Sequence, residues 1–133
     1  MCSNYDLTIP FYDIDPMLVV WHGNYIKYLE EARCDFLQKH SITYPDMEKT
    51  GFAFPVVELV IKYIHPCTFG QEITIKTELI SCENFLLFKY EIKDKKTGIR
   101  LCKAQTKQMC VSIKTKESLF EIPQIVRERL QDK

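Results

Sequence analysis

Residues 11–39, FYDIDPMLVVWHGNYIKYLEEARCDFLQK, decide the fold. Tyr25, Tyr28, Leu29, Ala32 and Phe36 recur at i, i+3, i+4, i+7 and i+11, the spacing of one face of an α-helix. Lys27, Glu30, Glu31, Asp35, Gln38 and Lys39 fill most of the rest, so the spacing predicts an amphipathic helix over 24–39. Asn24 is placed as its N-cap, because its side-chain oxygen can accept an orphan N–H of the first turn. His40 stands at the other end, where a cation is favoured. Just upstream come Asp13, Asp15, Pro16, an apolar run over 17–21 and then His22 and Gly23. Carboxylates, an imidazole and a helix N-terminus thus fall within twelve residues of one another. A helix N-terminus carries partial positive charge and unpaired N–H donors, and so can polarise a carbonyl or hold an oxyanion.

In the loop over 41–55, Pro45 and Asp46 can open a single helical turn and Gly51 can close it. The period then changes from 3.6 to 2. Residues 56–64 put Val57, Leu59, Ile61 and Tyr63 on one face, with Glu58 and Lys62 among Val56, Val60 and Ile64 on the other. Residues 72–80 alternate with Ile73, Ile75, Thr77 and Leu79 on one side, and residues 85–93 with Leu86, Phe88, Tyr90 and Ile92. Residues 94–98 read as a hairpin turn with Gly98 supplying a positive φ, 99–113 as one long final strand, and 124–131 as a short helix behind Pro123. Residues 5–12 read as a further strand in which Pro10 marks an edge or a bend. This order predicts an α+β fold in which one long helix is wrapped by a curved antiparallel sheet of about five strands. A single domain is expected over 1–133. Phe85, Leu87 and the short side chains Cys102, Ala104, Thr106, Cys110 and Ser112 make the second face of the sheet less polar than a solvated face. One helix covers one face, so part of the second is expected to pack on another subunit.

Composition excludes several classes of function. The 133 residues are 46% hydrophobic and 27% charged with zero net charge, which allows a real core but leaves no electrostatic footprint for nucleic acid or an anionic membrane. No apolar run approaches the roughly 20 residues of a membrane span. The opening MCSNYDLTIP has neither the basic nor the apolar region of a secretory signal, so the cytoplasm is the expected location. The six cysteines contain no C-x-x-C pair, and Cys102 and Cys110, on one expected strand, would lie about 26 Å apart, too far to bridge. Unbridged thiols and no metal site are expected.

With the elements placed, residues 11–36 resemble the hotdog-fold acyl-CoA thioesterases, most closely the 4-hydroxybenzoyl-CoA thioesterase and YbgC-like group. The motif is D-x-D-x-x-x-x-V-W-H-x-N-Y followed by E-x-x-R, carried by Asp13, Asp15, Val20, Trp21, His22, Asn24, Tyr25, Glu30 and Arg33. V-V-E at 56–58, Y-x-x-P at 63–66, G-x-x-I-x-I-x-T at 70–77, A-x-T at 104–106 and I-P at 122–123 extend the resemblance over nearly the whole chain. It implies hydrolysis of coenzyme A thioesters, or of acyl groups on acyl carrier protein, by a homodimer or a dimer of dimers. It implies no metal or bound cofactor, coenzyme A being part of the substrate. It places the catalytic carboxylate on Asp15, as nucleophile or as general base toward water, and the carbonyl-polarising backbone N–H groups at His22 and Gly23. A thioester asks for little more, since thiolate leaves without a strong acid.

At the other positions a substrate-binding role stands beside a structural one. Asp13 reads as a turn or cap carboxylate. The His22 imidazole reads as a substrate hydrogen-bonder, an acid for the thiolate, or a residue holding the loop. Trp21 and Tyr25 read as pocket wall or core, and Asn24 as a cap or a substrate contact. Glu58 needs a partner, from Lys62, from a neighbouring subunit or from the substrate. Thr106 contacts substrate or satisfies a strand neighbour. The turn 81–84 (SCEN) carries no cation where the 4-hydroxybenzoyl-CoA enzyme meets the coenzyme A phosphates with basic residues. That leaves Lys62, Lys89, Lys103 and Lys107 for the phosphates, or acyl carrier protein as the carrier. Two rivals share the fold: an acyl-thioester hydratase or dehydratase, whose motif is not found here, and a non-catalytic binding module.

Overall fold

The two sequence periods become two packed layers. The computed structural model describes residues 1–131; residues 132–133, the end of the expected domain, lie outside the described residues. The strands β1 (Cys2–Thr8), β3 (Val56–Tyr63), β4 (Glu72–Ser81), β5 (Leu86–Asp94) and β6 (Arg100–Gln108) form an antiparallel sheet in the order β1-β4-β5-β6-β3. The helix α1 (Asn24–Lys39) lies against one face of it. Its buried stripe, Tyr25, Tyr28, Leu29, Ala32, Phe36 and Leu37, shares a core with Ile73 and Ile75 of β4, Phe88 and Ile92 of β5 and Cys102 of β6. Phe36 meets Phe88 edge-on with ring centroids 5.4 Å apart. Truncating such a side chain to alanine costs about 3–5 kcal/mol.

The helix α2 (Tyr44–Lys49) starts at Thr43, whose side chain and that of Asp46 cap each other's backbone, with Pro45 in the first turn. Gly51 follows at φ +93°, a conformation glycine adopts without strain. A small second sheet joins β2 (Phe52–Ala53), β7 (Cys110–Ser112) and β8 (Ser118–Leu119). The helix α3 (Gln124–Gln131) adds Val126 and Leu130 to the core.

Three expectations need correction. The first strand is β1 over Cys2–Thr8, not 5–12: Pro10 has no N–H for the ladder, and Phe11–Asp13 coil into a 3₁₀ turn that carries Asp13 inward. The final strand is not continuous. At Met109 the N–H turns to the Pro55 carbonyl (3.1 Å) while the Gln108 side chain donates to the Phe54 carbonyl (2.7 Å), and the chain passes from the large sheet to the small one. Cys102 and Cys110 therefore sit on different strands. Last, Cys102, Ala104 and Thr106 are buried on the helix side, whereas Lys103, Gln105 and Lys107 face outward beside Lys76, Glu78, Lys89 and Glu91. The outer face is mostly charged, with Val60, Phe85 and Leu87 among the charges, so the short side chains of β6 are no argument for a subunit there. The unexplained apolar surface is on β3, at the sheet's edge, where Val56, Val57, Leu59, Val60, Tyr63 and the following Ile64 are all exposed.

Candidate active site

Residues 13–21 fold into a tight hairpin ahead of α1. Ile14 bridges Val20, the Asp15 N–H donates to the Val19 carbonyl (2.9 Å), and the Trp21 N–H to the Asp13 carbonyl (3.1 Å). Asp15 heads the turn. Its carbonyl accepts from the Leu18 N–H at 2.9 Å and its Oδ1 from the Met17 N–H at 2.8 Å. Leu18 closes the turn at φ +67°, a strained value for a side chain with a Cβ. The carboxylate is thus oriented through Oδ1, and Oδ2 has no partner among the described residues.

Asp13 is the structural carboxylate of the pair. Only 3% exposed, it accepts from Lys27 Nζ on both oxygens (2.8 and 2.9 Å) and from the Tyr28 hydroxyl (2.6 Å). Burial and Asp13 together push the Tyr28 phenol well above its usual pKa. A buried carboxylate needs this pairing, and the pairing ties the hairpin to the first turn of α1.

Asn24 does not cap the helix. Gly23 is the N-cap, Asn24 is the first helical residue, and its Nδ2 donates back to the Asp13 carbonyl at 3.0 Å. Gly23 has an ordinary φ of −68°, so its backbone does not require glycine. Its neighbour does: a Cβ there would overlap Cζ3 of the Trp21 ring. The indole lies across the glycine and is 51% exposed. The backbone N–H groups of His22 and Gly23 donate no hydrogen bond among the described residues, while the carbonyls behind them are held. The Trp21 carbonyl accepts from the Asn24 N–H (2.9 Å), and the His22 carbonyl from the Tyr25 N–H (3.4 Å) and the Tyr63 hydroxyl (2.9 Å).

A cleft of about 230 Å³ adjoins these groups, lined by Val20, His22, Tyr25, Tyr63, Ile64, His65 and Pro66. The His22 ring lies 5.1 Å from that of Trp21 and 6.4 Å, edge-on, from that of Tyr63. The Tyr25 hydroxyl accepts from the Cys67 N–H (3.2 Å), and burial first, then the Cys67 thiol, raises its pKa. Glu58 and Thr106 do not join the cleft. Glu58 is exposed on the outer face opposite Lys107, and Lys62 is not its partner. Thr106 is 3% exposed beneath α1, with its Oγ1 2.8 Å from the Tyr90 hydroxyl. A larger depression of about 340 Å³ lies on the far side of the sheet among Lys62, Lys76, Lys89 and Lys103, away from every motif residue of the hairpin. Lys107 instead stacks its ammonium on Phe85 at 4.3 Å.

Two residues named in the motifs were given no role by the sequence. Arg33 is 2% exposed; its guanidinium donates to Tyr44 (2.6 Å) and Tyr90 (3.2 Å) and pairs with Glu30. Burial works against its charge, but Tyr90, Tyr44 and Glu30 raise its pKa all the same. Arg33 lies at i+4 from Leu29 and i−3 from Phe36, so the helical period itself places it on the core face. Tyr63 was legible as a strand residue only; its bond to His22 depends on the tertiary approach of β3 to α1.

A helix against an antiparallel sheet, with a carboxylate-tipped hairpin and open N–H groups at the helix start, defines a hotdog-fold protein. The chain belongs to the thioesterase-like superfamily, whose family model matches residues 9–130. It is 28% identical over 110 residues to the putative acyl-CoA thioesterase YneP of Bacillus subtilis, covering 82% of this chain and 79% of that relative. The DHNA-CoA thioesterase of Staphylococcus aureus superposes with a TM-score of 0.80 at 29% identity, covering 90% of this chain and 80% of that one. The 1,4-dihydroxy-2-naphthoyl-CoA thioesterase of Synechocystis shares the fold with a TM-score of 0.87 at 21% identity, over 99% of this chain and 97% of that one. No helix among the described residues is long and apolar enough to cross a membrane.

Proposed function

We propose that this chain is a cytoplasmic acyl-CoA thioesterase, hydrolysing an aliphatic or aryl thioester to the free acid and coenzyme A. The observation that carries this is the start of α1, where two N–H groups without acceptors among the described residues follow directly on a hairpin that orients a carboxylate with one oxygen open. The thioester carbonyl oxygen takes the N–H groups of His22 and Gly23, where negative charge develops as the carbon becomes tetrahedral. Asp15 either attacks that carbon, giving a mixed anhydride that water opens, or takes the proton of an attacking water. In both routes the C–S bond breaks and its electron pair leaves on the coenzyme A sulfur, with no metal or cofactor. Tyr25 and Tyr63 wall the cleft, and the Trp21 ring lies against Gly23. Thr106, closed in under α1, and Glu58, on the outer face, have no part in this scheme. The exposed apolar edge β3 supports pairing with the same edge of a second copy, as an edge-to-edge homodimer.

The test is thiol release from a panel of short, medium, long and aromatic acyl-CoAs, with Asp15→Asn alongside. Asparagine keeps an oxygen for the Met17 N–H, so the turn persists while the carboxylate chemistry is lost. A fall of about 10²–10⁴-fold in kcat is expected. Full activity in the variant would remove Asp15 from the mechanism. Turnover only on acyl carrier protein thioesters would change the carrier, and turnover on neither would sink the thioesterase assignment.

A further inference from the structure

We propose that Tyr63 is a positioning residue that aims the oxyanion donors at the start of α1, an inference that rests on the thioesterase assignment above. Tyr63 stands at the end of β3, and its hydroxyl donates to the His22 carbonyl oxygen at 2.9 Å. A peptide unit is planar and trans, so the C=O of His22 and the N–H of Gly23 point in opposite directions on one rigid plate. Holding the oxygen aims the N–H. The same oxygen accepts from the Tyr25 N–H at only 3.4 Å, so the phenol is the firmer of its two holds. The preceding plate is held by the Asn24 N–H on the Trp21 carbonyl at 2.9 Å, which aims the His22 N–H in turn. Both donors are thereby fixed from behind and open in front.

The phenol is itself fixed. Its ring meets that of Tyr25 edge-on at 4.9 Å, and it is carried on a strand paired to β6 opposite Cys102. A phenol is protonated at neutral pH and so donates, and burial moves its pKa further up. Among the described residues the His22 carbonyl is the hydroxyl's one partner. At 46% exposure the ring needs no hydroxyl to pack; a phenylalanine would fill the same space. A donor held in place before the reaction has no reorganisation to undergo when charge appears on the substrate oxygen.

The experiment is Tyr63→Phe, assayed on the best acyl-CoA of the panel. Its kcat is expected to fall about tenfold, with KM within twofold and an unchanged melting temperature; removing an oxyanion donor outright costs on the order of 10²–10³-fold. The Gly23 amide, followed by ¹⁵N NMR and hydrogen exchange, is expected to shift and exchange faster in the variant. A raised KM at unchanged kcat, or an unchanged kcat, would overturn the proposal, as would a Gly23 amide identical in both proteins. If the wild type hydrolyses no thioester while the Gly23 amide still responds, the thioesterase assignment fails and takes the oxyanion role with it. An active wild type with an equally active variant overturns the role of Tyr63 alone.

Discussion

Gly23 shows how one missing atom sets the site. Its φ of −68° suits any residue, and the indole of Trp21 is what excludes a Cβ. Gly23→Ala is therefore expected to leave the melting temperature within a few degrees while displacing the indole and lowering kcat/KM roughly tenfold. Trp21 is the sole tryptophan, so a shift in fluorescence emission reports its displacement directly. Arg33 fails in the opposite way. Its removal leaves Tyr44, Tyr90 and the Glu30 carboxylate without their shared donor. Arg33→Met is expected to lose about 1–3 kcal/mol in urea unfolding, the cost of taking one donor from buried hydroxyls, because the half-exposed Glu30 carboxylate returns to water. Arg33→Lys should recover little, because a point charge cannot reach several oxygens at once. The thiols divide by burial. Burial pushes Cys102 up to about 12 and Cys110 up to about 11, whereas Cys2 and Cys34 are exposed. An aromatic disulfide reagent is expected to titrate two thiols in the native protein and the buried ones only after denaturation, which sets the background for any thiol-release assay.

At the level of elements, the β5–β6 hairpin is held by one carboxylate. Asp94 accepts from Gln71 Nε2 (2.7 Å) and from the N–H groups of Thr97 (2.8 Å) and Lys96 (2.9 Å), which lower its pKa to about 2. The folded state thus prefers the ionised form. The stabilisation is complete above the unfolded value of about 4 and is lost as pH falls through about 2. Asp94→Asn is expected to melt below the wild type at neutral pH, with the gap closing between about pH 4 and pH 2; a constant gap over that window would remove Asp94 from the acid transition. This hairpin was legible because Asp94 and Gly98 mark it locally. So were α1, whose stripe Tyr25-Tyr28-Leu29-Ala32-Phe36 is buried as its spacing required, and the inward faces of β4 and β5. What was not legible depends on distant partners. Asn24 has a cap's side chain, but the Asp13 carbonyl claims it. The break at Met109 follows from Phe54 and Pro55, over fifty residues away in sequence, and no local pattern announces it. The small even-numbered side chains of β6 are buried in the chain's own core, so their size says nothing of a second subunit.

For the whole molecule, the charge pattern of the sheet decides where a second copy fits. Lys62 faces Lys103 directly across β3 and β6, with Lys76, Glu78, Lys89 and Glu91 on the strands beyond, so packing two outer faces together would take charges of both signs out of water. The edge of β3 has the opposite character. It exposes valines 56, 57 and 60 with Leu59, and it is an outermost strand of its sheet, with no strand on its far side among the described residues. Natural sheets protect such an edge with lysine or proline, and here the exposed side chains are mostly apolar. Two copies joined along β3 would extend one sheet across both chains and bring the end of each β3, with Tyr63 and the cleft beside His22, toward the partner. The wild type is accordingly expected to sediment at twice the 15.7 kDa chain mass. Val57→Lys with Val60→Lys places two charges on the edge without touching α1 or the hairpin. This variant is expected to keep its circular dichroism spectrum, sediment as a monomer and lose most thiol release per chain. A variant that stays dimeric would put the interface elsewhere on the molecule. A monomer with full activity would show that one chain's carboxylate, N–H groups and cleft suffice, and that pairing does not complete the site.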